Sequence, residues 1–357
     1  MKALFDKLIR ETSSLINRIA RLYHPETLRE KGWIWASGLG IVTLAILLFL
    51  LSLYWSSLPE PFDVRENTRT ILQEMNLEAV TGSYTTAAVV NVMETLLEKP
   101  GGYLSNDIMP PSVFLDNIPN WEFGALTQAR DLARSLRNDM SRSQSQSLEN
   151  KDLAIAEPQF NYSNDSWIFP STEGEYYKGL EALRRYLSGL SRQGETGIQF
   201  FARADNLRDW LAVVEKRLGS LSQRLSASVG QERINIDLAG DPDAAQSTTT
   251  EDNVRVQTPW LEIDDVFYEA RGATWALIHF LHAVEIDFHN ILRKKNALVS
   301  LRQIIRELEA TQGPISSPVV LNGSGLGIFA NYSLVMASYI SRANAAVIDL
   351  RNLLSQG

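Results

Sequence analysis

The sequence predicts an all-α protein, in which a single N-terminal transmembrane helix is followed by a helical bundle with long helices. Three observations lead there. Residues 32–59 carry no charged side chain and hold a mostly apolar run over 33–55. Beyond them, apolar residues recur at helical spacing in one segment after another. Strand-like alternation is scarce, with 233–238 and 318–321 the candidates.

The apolar run is the strongest element. At ~1.5 Å per residue it can cross the ~30 Å hydrocarbon core of a bilayer with some tilt. Trp33 and Trp35 flank one end, Tyr54 and Trp55 the other. Amphipathic rings favour the two headgroup layers, so these four are candidate membrane-interface residues. A cleavable signal peptide would need an apolar core of ~7–15 residues and a small-x-small cleavage site. The core here is longer, and Tyr54-Trp55-Ser56-Ser57-Leu58-Pro59 offers no such site. Residues 1–31 therefore read as a cytoplasmic segment, 32–58 as an uncleaved anchor, and 59–357 as one helical domain.

Charge gives the orientation. Residues 1–31 hold seven Lys or Arg against four Asp or Glu, whereas the twenty residues after Trp55 hold only Arg65 and Arg69. Basic residues near a span stay on the cytoplasmic side, so the large C-terminal part is expected outside. The whole chain carries −8, leaving −11 for residues 32–357. That balance disfavours a nucleic-acid partner. There is no cysteine, which excludes disulfides, thiolate metal sites and cysteine nucleophiles. A segment of this length can bury enough apolar surface to do without such staples.

The remaining elements follow in order. Leu4, Phe5, Leu8, Leu15, Ile16, Ile19 and Leu22 form an amphipathic stripe that can lie on the inner leaflet or pack on a partner. Pro59 and Pro61 make a stiff exit from the membrane. Helical patterns cover 63–77 and 82–98. Asn120 is placed as N-cap of a helix running to about 142, with Trp121, Ala125, Ala129, Leu132 and Leu136 on its buried side. Residues 155–172 read as extended and aromatic, interrupted by Pro158 and Pro170. Helices resume over 173–192 and 197–228, and the stretch 240–253 reads as a mobile loop. A very long helical pattern spans 261–312, with a break expected near Gly272. A last helix covers 329–354.

Part of this pattern resembles a known family. Gly102-Tyr103-Leu104-Ser105-Asn106-Asp107, Asp116-Asn117-Ile118-Pro119-Asn120-Trp121-Glu122, Arg130-Asp131 and Ser141-Arg142-Ser143-Gln144-Ser145-Gln146 are similar to an uncharacterised family of bacterial, mainly proteobacterial, membrane proteins. The likeness covers most of the chain. It implies a Gram-negative inner membrane and a periplasmic domain. It implies no activity, and no functional residue carries over from it.

Candidate chemistry is sparse. His279, His282 and Glu285 share a helix face, and His279 and His282 at i, i+3 are close enough to share an ion. Zinc needs at least three protein ligands, so this set is a candidate metal site only with help from a second helix. The same face could be a pH-sensitive surface, and the plainest reading is ordinary core or interface histidines. Arg130, Arg134 and Arg137 form a basic stripe suited to an anionic ligand or a partner carboxylate, or to internal ion pairs. Tyr162 and Trp167, set among Asn and Asp, could contact a glycan or plug gaps between helices. Asn322-Gly323-Ser324-Gly325-Leu326-Gly327 lacks the Lys-Ser/Thr ending of a phosphate loop and reads as a flexible connection.

The sequence calls for no cofactor and shows no catalytic arrangement. The expected partners are the lipid bilayer and envelope proteins or a second copy of the chain. The expected role is non-catalytic scaffolding or regulation of an envelope complex. The alternative is a ligand or metal sensor, or an enzyme, using the His279/His282/Glu285 face.

Overall fold

The computed structural model describes residues 14, 17, 20–143, 148–192, 197–234, 253–315, 317 and 319–356. Most of the N-terminal amphipathic stripe and of the loop expected at 240–253 lies outside the described residues. The chain divides into two compact units, Met1–Trp55 and Ser56–Gly357.

In the first unit, α1 (Pro25–Trp55) begins with proline at its first position, where the missing N–H costs nothing. Gly32 interrupts it at φ 82°, a left-handed conformation natural only to glycine, so the apolar rod starts at Trp33. None of the helix is buried. Ile34, Ile41, Leu47, Phe49 and Leu53 are all exposed around its circumference. A helix apolar on every side and unburied is suited to lipid, and this one is long and apolar enough to span a membrane.

Among its described residues, the second unit is all-α apart from one small ribbon. Its elements are α2 (Val64–Glu74), α3 (Ser83–Glu98), α4 (Asn117–Ser135), α5 (Lys151–Phe160), α6 (Thr172–Ser191) and α7 (Ala204–Ser226), then α8 (Ile263–Asp287), α9 (His289–Lys294), α10 (Leu298–Glu309) and α11 (Tyr332–Ser355). A π-helical turn, Leu136–Met140, extends α4. Between α7 and α8, β1 (Gln231–Ile234) pairs antiparallel with β2 (Asn253–Val256), Gln231 opposite Val256.

Short polar side chains start these helices. Asp63, Asn150, Ser171 and Asn331 each accept from backbone N–H groups in the first turn of α2, α5, α6 and α11. The expected buried side of α4 is present: Trp121, Ala125, Ala129, Leu132 and Leu136 are all inaccessible. Its start is four residues earlier than expected, with Asp116 as cap, and Asn120 instead donates to Asp265 on α8 at 2.7 Å.

The centre of the unit is the crossing of α4 and α8. A Cβ at Gly272 would stand 1.9 Å from the Trp121 carbonyl oxygen, and one at Gly124 would stand 2.0 Å from that of Glu269. The two glycines let the backbones touch, and Trp121 and Trp275 pack beside them with ring centroids 5.0 Å apart. Gly272 is therefore a contact point inside a continuous helix and not the break expected there. The pattern over 261–312 breaks later, at Phe288 and at Asn296, whose φ of 52° turns the chain so that α10 folds back on α8. The stretch 155–172 also differs from expectation. Its first part is α5, which holds Pro158 two positions before its last residue, and only the part after Phe160 is irregular. Residues 318–321 form no described strand; an isolated bridge joins Asn322 and Asn331 instead.

Candidate functional site

His279 lies fully buried on the inner side of α8. Its Nδ1 is 2.7 Å from the Trp275 carbonyl oxygen, and its Nε2 accepts the Phe62 N–H at 3.0 Å. A neutral ring with the proton on Nδ1 satisfies both contacts. The Phe62 ring stacks on the imidazole with centroids 3.8 Å apart and 19° between planes. Burial holds the His279 pKa down at about 3, only partly offset by the Trp275 carbonyl. The segment that follows the apolar helix in sequence is thus fixed to the central helix of the bundle by a stacked ring and a buried hydrogen bond.

About 60° further round α8, His282 emerges at the margin of the core. Its Nε2 is 3.5 Å from Glu309 of α10, while Glu285 accepts from Arg302 Nε at 2.7 Å. His282 and Glu285 line an open cleft of about 380 Å3 together with Asp63, Arg65 and Glu309. His279 does not reach this cleft, and both its nitrogens are occupied. Among the described residues no three His, Asp or Glu side chains come together as a metal-holding group. The structure therefore separates the His279, His282 and Glu285 set, because the stripe that carries Trp275 and His279 is the buried one.

The arginine stripe meets partners within the bundle unit, some of them at its surface. Arg130 donates to the carbonyls of Phe160 at 2.6 Å and Tyr162 at 2.7 Å and to the Tyr176 hydroxyl, closing the end of α5. Arg134 lies 3.5 Å from Glu157, and Arg137 lies 2.8 Å from both Glu149 and Glu157. These contacts tie α4 to α5. Tyr162 points its hydroxyl at the Pro170 carbonyl, and Trp167 stands half exposed on the same loop. Trp33, Trp35, Tyr54 and Trp55 sit at the two ends of the apolar rod, with Lys31 Nζ 4.7 Å over the Trp35 ring.

Two buried ionic centres were not foreseen. Glu122 and Lys99 are paired at 2.5 Å with both side chains sealed from solvent. Glu122 also accepts the Leu104 and Ser105 N–H groups at 2.8 Å and the Ser105 hydroxyl. Desolvation pushes its pKa up, and Lys99 with these donors pulls it back. Asp287, at the end of α8, accepts from Gly82 N–H at 2.9 Å and from the Thr85 N–H and hydroxyl at 2.7 Å. It is the remote N-cap of α3, whose own cap residue Gly82 has no side chain. Burial raises its pKa to about 6 against those hydrogen bonds. A sequence signal existed for the first centre: Glu122 interrupts an otherwise apolar helix face just after Trp121.

The quoted motif residues map onto these supports. Asn106 donates to Ser166 and Glu173, tying the loop after α3 to the start of α6, and Asp131 pairs with Arg217 of α7 at 2.7 Å. No curated protein and no solved structure matches the chain significantly. The model of the family described as "Uncharacterized protein conserved in bacteria (DUF2333)" matches residues 28–357, and the chain belongs to that family.

Proposed function

We propose that this is a single-pass protein of the bacterial inner membrane, N-terminus in the cytoplasm and bundle in the periplasm. There it scaffolds or regulates a cell-envelope complex without catalysing a reaction. The Phe62–His279 clamp carries the reading: it makes the segment after the anchor part of the bundle core, so the bundle is a platform held near the bilayer. The buried ionisable groups support the same view. His279, Lys99, Glu122 and Asp287 are each engaged in holding one segment on another. The basic surplus before the apolar helix supports the orientation.

In-cell crosslinking of the tagged chain, followed by detergent extraction and mass spectrometry, tests the role. A few envelope proteins recovered at constant ratio fit a scaffold. Recovery of the chain alone, from cells in which it is needed, removes the reading.

The cleft at His282 and Glu285 favours a second reading, a sensor of a small ligand or metal. Its mark is metal or ligand that copurifies with the chain and is lost in the His282→Ala variant.

A further inference from the structure

The bundle unit gathers apolar side chains at the tips of four loops, all at one end. The loop before α4 exposes Met109 and Phe114. The loop before α6 exposes Ile168 and Phe169, the latter 98 % accessible. The turn before α8 exposes Trp260 and Leu261, and the hairpin before α11 exposes Leu326 and Ile328.

Polar contacts within the unit make these loops neighbours. Asn106 joins the first to the second through Ser166 and Glu173. Asn120 joins the first to the third through Asp265. Trp260, Asn322 and Ser324 line one pocket, which joins the third to the fourth. The fourth is closed at its neck, where Gly323 N–H donates to Ala330 and Tyr332 N–H to Leu321. No charged residue occurs from Ala310 to Ser341.

We infer that this apolar crown inserts into the interfacial layer of a zwitterionic bilayer, as a second membrane contact that orients the bundle. Two facts select lipid as the occupant. The chain joins the bundle at this end: Ser57, Leu58 and Pro59 lie in one pocket with Glu98, Lys99 and Pro100. Lys99 in turn pairs with Glu122, which holds Leu104 and Ser105 at the root of the first loop. Because Ser56 directly follows the apolar helix, lipid is the one occupant supplied by the chain's own connectivity. A tethered contact needs little intrinsic affinity, since its local concentration is high. The composition agrees, with Trp, Phe, Leu and Ile at loop tips whose backbone needs stay met at shallow depth. Asp107, Asp116, Glu262 and Asp264 stand among the loops, so the lipid surface that fits is zwitterionic and anionic lipid opposes the contact.

The inference rests on the membrane anchoring proposed above. The chain has no cysteine, so single-cysteine variants carry a fluorophore without background. Full-length Ile328→Cys and Phe169→Cys, labelled with an environment-sensitive dye, are reconstituted in phosphatidylcholine vesicles. Val299→Cys, exposed in the first turn of α10, is the control off the crown, and Tyr54→Cys reports the anchor itself. The expected result is quenching by spin-labelled lipid at 328 and 169 at least about 2-fold above 299, weakened when anionic lipid is added. Equal quenching at all three positions overturns the inference, as does protection at 328 and 169 from both lipid-borne and aqueous quenchers, which marks a protein contact. Absence of lipid quenching at 54 overturns the anchor, and the inference with it. In an Ile328→Cys background, Phe169→Asp, a change at an exposed tip, should lower the quenching at 328; no change there also counts against the crown.

Discussion

Replacing His279 by leucine should lower stability at neutral pH yet raise it in acid. The leucine fills a similar volume but cannot accept the Phe62 N–H, which stays buried without a partner. A buried unsatisfied donor costs about 1–3 kcal/mol, so the variant should be about 2 kcal/mol less stable at pH 7.5. The native histidine carries its own liability. Its pKa is about 3 in the fold and near 6.5 when free, so below pH 6.5 the unfolded chain binds a proton that the folded one refuses. The His279 contribution therefore falls by about 1.4 kcal/mol per pH unit from 6.5 down to about 3, or about 3 kcal/mol by pH 4.5. Burial is the main cause of that low pKa, and the nearby His282 contributes to it. Leucine has no such loss. The two stability curves should cross near pH 5, with the variant about 1 kcal/mol the more stable at pH 4.5. Urea unfolding of both full-length proteins in detergent, followed by tryptophan fluorescence, reads this directly, since Trp275 lies 4.5 Å from His279. A stability gap that does not change with pH would refute the buried neutral ring and the clamp built on it.

Other substitutions probe the remaining supports. Asp287 has its pKa raised to about 6, so its own contribution to stability is full at low pH and falls by about 3 kcal/mol as pH rises from 4 to 6, opposite in sign to that of His279. The stability difference between native protein and Asp287→Asn should therefore change by about 3 kcal/mol between pH 4 and 6, and a difference that does not change with pH counts against the remote cap. Glu122→Gln leaves Lys99 as a buried charge without its counterion and should cost about 3–5 kcal/mol by chemical denaturation. Adding Lys99→Met should recover part of that loss; no recovery would contradict the pairing. Gly272→Ala pushes a methyl group into the Trp121 carbonyl and should cost about 3 kcal/mol or more in thermal unfolding, whereas a neutral result would mean the helices cross elsewhere.

The sequence was most readable where burial or its absence leaves one solution. An uncharged run bounded by Trp33 and Tyr54 stays unburied, as a candidate membrane span does, and the stripe from Trp121 to Leu136 faces inward as its spacing requires. Gly272 shows the limit of such reading. A glycine in an apolar helical run can break the helix or admit a neighbouring backbone, and only the position of Gly124 on another helix decides between them. The true turn at Asn296 depends on a left-handed residue between two short helices, a local signal weaker than the apolar period around it. Pro158 reads as a breaker, yet Asn150 starts a helix that carries it near its end.

The candidate sites were legible as helix faces but not as contacts. Arg130, Arg134 and Arg137 do share a side of α4 and its π-helical turn, and what they meet is set by α5, which the sequence predicts as extended from residue 155. His279 and His282 are three residues apart, and the boundary between core and cleft runs between them. The partners of Lys99 and Asp287 lie far along the chain, where no spacing rule reaches.

A bundle held outside the membrane by the N-terminal helix is the central proposal. Single cysteines at Val299 and Lys7, in a chain with none of its own, can be labelled by a membrane-impermeant maleimide in cells whose outer membrane is permeabilised. Labelling at 299 in intact spheroplasts, with residue 7 labelled only after lysis, is the predicted result. Labelling at 7 with protection at 299, or protection of both until lysis, would contradict it.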